Sequence, residues 1–541
     1  MAETETFDVV IVGAGFAGMY MLHKLRALGM SAVVFEAGKD VGGTWYWNRY
    51  PGARCDIESM QYSYSFDEKL EQEWDWSERF AAQPEILSYA RHVADRFDLR
   101  RDIRFETRVT AAAYDETRDT WKVTTDRGER VTAPYLVMAT GCLSSSRVPD
   151  IAGLDTFKGE TYHTGQWPHE PVDLAGKRIA VIGTGSSGIQ SVPVLADLAS
   201  HLTVFQRTPN YSIPSRNAPM TPDYANEWKS DYRARRQTAR YERGGTIYDV
   251  NPVSAMEVSA EEREREYTER WAAGGIRFMS AFNDIGVNAE SNLTMADFVR
   301  DRIRETVKDS QVAELLAPKT YPIGAKRICV DSQYFETFNR DNVELVDLNA
   351  TPIEAITPDG VRTSAGEYEV DAIVFATGFD AMTGALARID IRGRGGRALT
   401  EKWAAGPRTY LGLMTAGFPN MFMITGPGSP SVLSNMIVSI EQHVDFIGDC
   451  LAWMRAHQLG AMEADPAAED AWVAHVNEAA AKTLHPQANS WYLGANVPGK
   501  PRVFMPYIGG VGVYREKCDA VAANGYEGFR ATKRGSAAAA E

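Results

Sequence analysis

Residues 7–18 read FDVVIVGAGFAG, and residues 177–188 read KRIAVIGTGSSG. Each is a β-rich run that meets a G-x-G-x-x-G turn and passes into an amphipathic helical run, through Leu22, Leu25 and Leu28 in the first case and Ile189, Val192 and Leu195 in the second. In such a turn the first glycine permits the tight strand-to-helix reversal, the second lets the backbone approach a pyrophosphate, and the third packs helix on sheet. The helix N-terminus, with roughly half a positive charge and free N–H groups, then holds the phosphates. The pattern predicts an α/β protein with two Rossmann-type dinucleotide-binding units, one around Gly13, Gly15 and Gly18 and one around Gly183, Gly185 and Gly188.

The strand that follows each helix separates the two nucleotides. Ser31 to Glu36 ends on an acid 23 residues after Gly13, where a ribose hydroxyl is expected. In the second unit Gln206 stands 23 residues after Gly183, and Arg207 follows it. An arginine can meet a ribose 2′-phosphate through a charge-assisted contact, whereas a glutamate repels it. The first unit therefore suits FAD and the second NADP.

Composition narrows the class. The 541 residues carry 57 Lys and Arg against 72 Asp and Glu, a formal charge of −15, which argues against nucleic acid or an anionic membrane as partner. The five cysteines (Cys55, Cys142, Cys329, Cys450, Cys518) form no C-x-x-C pair, which suits a reducing cytoplasm and argues against a flavin disulfide reductase. No targeting segment or apolar run of membrane-spanning length is visible, no metal is expected, and GSAAAAE at 535–541 reads as a frayed tail.

In order along the chain, residues 1–142 are expected to form the first part of the FAD unit. They include the aromatic segment VGGTWYWNRYPGARCD at 41–56, read as a loop facing a flat cofactor, and the strand YLVMATG at 135–141. Residues 143–220 open the NADP unit and contain FKGETYHTGQWP at 157–168, which reads as a linker. Residues 221–322 read as a helical insertion with capping-box patterns at Ser259/Glu262 and Thr294/Asp297, and EEREREYTER within it as a solvated helix face. Residues 323–379 return to the NADP unit, with Lys326 and Arg327 at its edge and DAIVFATG at 371–378 closing it. Residues 380–541 complete the FAD unit. Within them GPGSPSVLSNM (426–436) has too much Gly, Pro and Ser for a core element, and SWYLGANVPGKPR (490–502) suits a mobile lid.

These stretches together resemble the type I flavoprotein Baeyer–Villiger monooxygenases. The 157–168 segment matches that family's fingerprint at Phe157, Gly159, His163, Trp167 and Pro168, and the aromatic segment matches a second one at Gly42, Gly43, Trp45, Tyr50, Pro51, Gly52 and Asp56. The 426–436 loop and CDIESMQYSYSF at 55–66 look most like the phenylacetone and steroid monooxygenase group.

The resemblance implies that NADPH reduces FAD, that the reduced flavin captures dioxygen at C4a as a peroxide, and that this attacks a ketone to give an ester or lactone. It implies FAD contacts at Gly43, Thr44, Trp45, Asp56, Tyr62 and Met436 besides the first glycine turn and Glu36. NADP contacts are implied at Arg54, Ser186, Ser187, Gln190, Arg207, Thr208, Lys326, Arg327 and Trp491 besides the second. Arg327 would be the catalytic cation and Asp56 its partner. Ser431, Val432, Leu433 and Met436 would form the substrate loop, and His163 and Trp167 would govern domain motion, His163 by a hydrogen bond rather than proton transfer. A monomer or weak homo-oligomer is expected. Two other readings stay open: a flavin monooxygenase that oxygenates nitrogen or sulfur, and a non-catalytic nucleotide sensor.

Overall fold

Strands covered by helices on both faces must be apolar throughout, and the strands ahead of the two glycine turns are: Val9–Val12 is buried at all four positions and Arg178–Ile182 at all but the first. The computed structural model, which describes residues 5–533, places each at the centre of a five-stranded parallel sheet. The first sheet runs Met421–Met423, Tyr135–Met138, Val9–Val12, Ala32–Phe35, Ile103–Arg104. The second runs Val343–Asp347, His201–Gln206, Arg178–Ile182, Ala372–Phe375, Glu160–His163. Both are Rossmann-type arrangements, each followed at its central strand by a helix, Phe16–Ala27 and Ser186–Leu198.

The second sheet corrects one expectation. The stretch that reads as a linker supplies the edge strand Glu160–His163, in parallel register with Ala372–Phe375. The strand is short and its partner lies some two hundred residues on, so no local pattern announces it.

The insertion is helical, with Ala260–Ala273 and Ala289–Thr306 as its longest members. Ser259 caps the first by accepting the Glu262 N–H at 3.2 Å, which is one half of the expected capping box; among the described residues the return bond from Glu262 is not formed. The Thr294/Asp297 cap is wrong: Asn288 caps the second helix, and Thr294, well inside it, donates to the Ser291 carbonyl instead. Nor is EEREREYTER wholly solvated. Tyr267 and Arg270 are buried, Arg270 donating to Glu266 and to the Asp249 carbonyl. The insertion packs on both nucleotide units, sending Trp228 and Tyr232 into the core under the first sheet and Tyr267, Phe278 and Phe298 into the core of the second.

Two antiparallel elements that the sequence reading lacks complete the units. Val109–Asp115, Thr120–Thr125 and Arg130–Ala133 form a meander extended at its edges by Glu5–Thr6 and Asp390–Arg392, and Ile353–Thr357, Gly360–Thr363 and Gly366–Glu369 form a three-stranded sheet. The long helix Met436–Ala456 lies against Phe16–Ala27, where Lys24 meets Asp445 at 3.1 Å. Among the described residues no helix is long and apolar enough to cross a membrane. The tail reading for 535–541 lies outside them.

Candidate active site

The two glycine turns are built alike. Gly13 (φ +104°) and Gly183 (φ +109°) each sit where a Cβ would come 2.6 Å from a carbonyl at the end of the neighbouring strand, that of Ala139 and of Ala376. A Cβ on Gly18 or Gly188 would strike the carbonyl of the first glycine of its own turn, so each helix packs directly on its strand. Nothing lies within 4 Å of a Cβ at Gly185, leaving the helix N-terminus open where a pyrophosphate would rest. At the first turn the matching position, Gly15, faces Gly43 at 3.3 Å, so the aromatic segment folds over it. Gly43 (φ +54°) starts the short helix Thr44–Trp47, and Trp45 Nε1 donates to the Tyr62 hydroxyl at 3.1 Å. Glu36 is buried at the end of its strand, its carboxylate accepting the Ala14 and Gly38 N–H groups at 2.7 Å each; burial raises its pKa and those two bonds oppose the rise. The buried acid, the glycine turn and the aromatic segment folded over it fit a flavin dinucleotide.

At the second unit the missing acid has a structural counterpart. Gln206 is buried and donates to the Leu315 carbonyl at 2.8 Å. Beside it burial lowers the Lys326 pKa, and the charge of nearby Arg207 lowers it further; the ammonium lies 4.4 Å from the centre of the Tyr321 ring. Neither cation has an acidic partner among the described residues. Two unpaired cations converging there fit a ribose 2′-phosphate. Thr208 accepts the Thr184 hydroxyl through its carbonyl at 3.0 Å, Ser186 Oγ lies 3.2 Å from Cys329 Sγ, and Ser187 Oγ lies 3.0 Å from Thr164 Oγ1.

Gln190 joins the two units. Its Oε1 accepts the Tyr50 hydroxyl at 2.8 Å, and its Nε2 donates to the Arg54 carbonyl at 3.0 Å and to Asp56 Oδ1 at 3.4 Å. The Arg54 side chain, expected at NADP, donates to Glu78 and to the Phe80 carbonyl.

Arg327 stands at this junction. Its Nη2 lies 3.3 Å from Asp56 Oδ2, and its Nη1 donates to the Val432 carbonyl at 3.0 Å. Burial is the largest influence on Arg327 and lowers its pKa, but Asp56, together with Tyr492 and Cys55, carries the guanidinium above its ordinary value. Asp56 is itself buried, which pushes its carboxyl up while Arg327 pulls it back. The 426–436 loop is buried almost throughout, contrary to its composition, because two of its three serine hydroxyls are satisfied within the loop: Ser429 donates to Gly426 and Ser434 to Ser431, each at 2.7 Å. Ser431 adopts φ +43°, a strained conformation for a non-glycine, with its Oγ 2.9 Å from Cys142 Sγ. Asn435 caps the helix that starts at Met436 and donates to the Gln61 carbonyl at 2.7 Å. Leu433, Met436 and Trp491 pack in one apolar cluster with Cys142 and Tyr492.

Cys142 and Tyr492 were missed in the sequence. Burial raises the Tyr492 pKa to about 12, and the nearby Arg327 charge opposes the rise. The available signals were that Cys142 follows the ATG turn at the carboxyl end of a parallel strand, where α/β folds bind ligands, and that Tyr492 adjoins Trp491.

His163 lies away from this junction. Its Nδ1 accepts the Gly165 N–H at 2.9 Å, so Nε2 carries the proton and donates to the Arg147 carbonyl at 3.2 Å; burial lowers its pKa and keeps it neutral. Arg147 in turn donates to the Asn496 carbonyl at 2.6 Å, in the 490–502 segment. Trp167 is buried against Tyr162, ring centres 5.1 Å apart.

Two nucleotide turns, a flavin-type acid on one and a phosphate-type cation pair on the other define a two-dinucleotide flavoprotein oxidoreductase. A profile of the pyridine nucleotide-disulphide oxidoreductase family matches residues 10–279, although all five cysteines here are free and buried. A Baeyer–Villiger monooxygenase of Pseudooceanicola batsensis is 44% identical over 524 residues (96% of this chain, 95% of that one), and a phenazine N-monooxygenase of Lysobacter antibioticus is 44% identical over 527 (97% and 96%). A solved steroid monooxygenase bound to NADP superposes with a TM-score of 0.94 at 54% identity, covering 98% of this chain and all of its own. The chain belongs to the FAD- and NADPH-dependent Baeyer–Villiger monooxygenases.

Proposed function

We propose that this enzyme inserts one atom of dioxygen beside a ketone carbonyl, giving an ester or lactone, and that Arg327 is the group on which the reaction turns. Bound FAD, reduced by NADPH, supplies the electrons that activate dioxygen. The chain's own residues do the rest. As the carbonyl is attacked, negative charge grows on the ketone oxygen, and a guanidinium that stays protonated at any working pH stabilises that charge best where water is scarce. Asp56 sets the angle of Arg327, and the Val432 carbonyl ties it to the loop that faces substrate. Lys326 and Arg207 hold the 2′-phosphate, and Trp491 with its segment covers the nicotinamide side and keeps water out. His163 holds the Arg147 backbone and takes no part in proton transfer.

The phenazine N-monooxygenase matches as well as the ketone enzymes do, so overall identity does not separate the two chemistries. The Arg327–Asp56 pair is the observation that favours the ketone, because a nitrogen nucleophile takes oxygen from a protonated hydroperoxide directly and no tetrahedral adduct with a carbonyl-derived oxyanion forms. The free thiols further suggest a reducing cytoplasm, and the enzyme is taken to act as a monomer or weak homo-oligomer.

The test follows NADPH consumption by the FAD-loaded enzyme across a ketone panel, with products identified by mass spectrometry and hydrogen peroxide counted. Arg327→Ala should retain both nucleotides and form no ester; ester at the wild-type rate in that variant would overturn the assignment.

A further inference from the structure

A cavity of about 460 Å³ lies outside both nucleotide turns and the Arg327 junction, where the insertion meets the C-terminal helices. Its lining mixes apolar and cationic side chains. Tyr241 and Val513, each nearly half exposed, line it together with Ile508 and Ala479. Arg243, Lys482 and His475 line it too, with a single acid, Glu478.

Neither the Arg243 guanidinium nor the Lys482 ammonium has a hydrogen-bond or ion-pair partner among the described residues. Their fields reach inward. Burial lowers the His485 pKa to about 4 with Arg243 adding to the shift, and burial lowers that of His475 with Lys517 and Lys482 adding to it against Glu478. In a chain with fifteen more acids than bases, unpaired cations gathered on one concave surface create a local positive potential that has no structural work to do. Long exposed cations beside exposed apolar side chains are the pairing that receives a molecule with a charged end and an apolar body.

We infer that this cavity is a second binding site, for a small amphiphilic anion, with the anionic group on Arg243 and Lys482 and the apolar body against Tyr241, Ile508 and Val513. The site is distinct from the proposed ketone chemistry in its charged groups, Arg243 and Lys482, although Ile508 and Ala479 pack in the same apolar cluster as Leu433, Met436 and Trp491.

The probe is sodium decanoate, titrated calorimetrically into the enzyme loaded with FAD and NADP, with 1-decanol as the uncharged control and inorganic phosphate as the anion that lacks an apolar body. One decanoate should bind per chain, at least tenfold more tightly than either control and more weakly as salt is raised. The doubly reversed variant Arg243→Glu/Lys482→Glu should lose at least tenfold in decanoate affinity and leave NADPH oxidation with a ketone unchanged. Val513→Asn should weaken decanoate without altering the phosphate titration. Decanoate bound equally well by the charge-reversed enzyme would place it in the ketone pocket and overturn the inference, as would phosphate binding as tightly as decanoate or no decanoate binding at all. Both variants alter exposed side chains, and an unchanged FAD spectrum shows that they fold.

Discussion

Replacing Asp56 by asparagine keeps the size of the side chain at the Arg327 junction and removes its charge. At the observed 3.3 Å separation Coulomb attraction is about 1.3 kcal/mol in bulk water and about 5 kcal/mol at an effective dielectric of about 20. The Asp56 side chain is 10% exposed and that of Arg327 33%, so the pair sits between these limits, and the cost of desolvating Asp56 offsets part of the gain. A net of about 1.5–3 kcal/mol follows, which corresponds to roughly a ten- to hundredfold lower turnover to ester if the arginine acts in the transition state. The assay measures ester per unit time and hydrogen peroxide per NADPH for wild type, Asp56→Asn, Arg327→Ala and the double variant. Asp56→Asn should lose ester turnover while its FAD spectrum is unchanged, and should divert more NADPH to peroxide. The double variant should be no worse than Arg327→Ala, because the acid acts only through the arginine. A double variant that carries the full loss of both singles would refute that reasoning, and so would Asp56→Asn turning over ketone at the wild-type rate.

Lys326→Ala combined with Arg207→Ala should raise KM for NADPH by about tenfold or more while leaving KM for NADH nearly constant, since the loss of charged contacts touches only the 2′-phosphate; equal effects on both nucleotides would exclude that contact. Lys500 Nζ donates to Asp380 Oδ1 at 2.6 Å and to the Ala381 carbonyl at 2.8 Å, tying the 490–502 segment down. Lys500→Ala should loosen that segment and raise the fraction of NADPH spent on peroxide, read as ester per NADPH; an unchanged ratio would mean the tie has no part in excluding water. Burial lowers the His443 pKa to about 3, so below pH 6.5 the unfolded chain takes up a proton that the folded one refuses. The stability from its neutral form is complete above pH 6.5 and is lost by about 1.4 kcal/mol per pH unit as pH falls toward 3. His443→Gln should flatten the fall of Tm between pH 7 and pH 5, and an unaltered slope would contradict this.

What could be read from the sequence was what repeats or is local. The glycine turns, the acid at Glu36, its replacement at Gln206 and the Ser259 cap each depend on residues a few positions apart, or on a spacing set by one βαβ unit. What could not be read depends on distant partners. Glu160–His163 becomes a strand only because Ala372–Phe375 offers an edge. Arg54 bonds Glu78 and the Phe80 carbonyl, partners 24 and 26 positions away that no motif connects to it. The 426–436 loop is buried because two of its three serines satisfy its own carbonyls, which composition counts as polarity. The Arg327–Asp56 junction spans 271 positions, and only the family resemblance brought the two residues together before the structure did.

The strand order also governs the sequence of events during synthesis. Every strand of the second parallel sheet has been made once Phe375 is in place, whereas the first sheet still lacks the edge strand Met421–Met423, and its helix Phe16–Ala27 still lacks the helix Met436–Ala456 that covers it. The sheet begun first is therefore the last to be completed: Val9–Val12 has both its strand neighbours by Met138, but the far edge and the covering helix come only after the NADP-type sheet can close. A ribosome-bound chain halted once Phe375 has cleared the exit tunnel should protect the 178–206 region from protease, and flavin should be captured only after the final quarter of the chain has emerged.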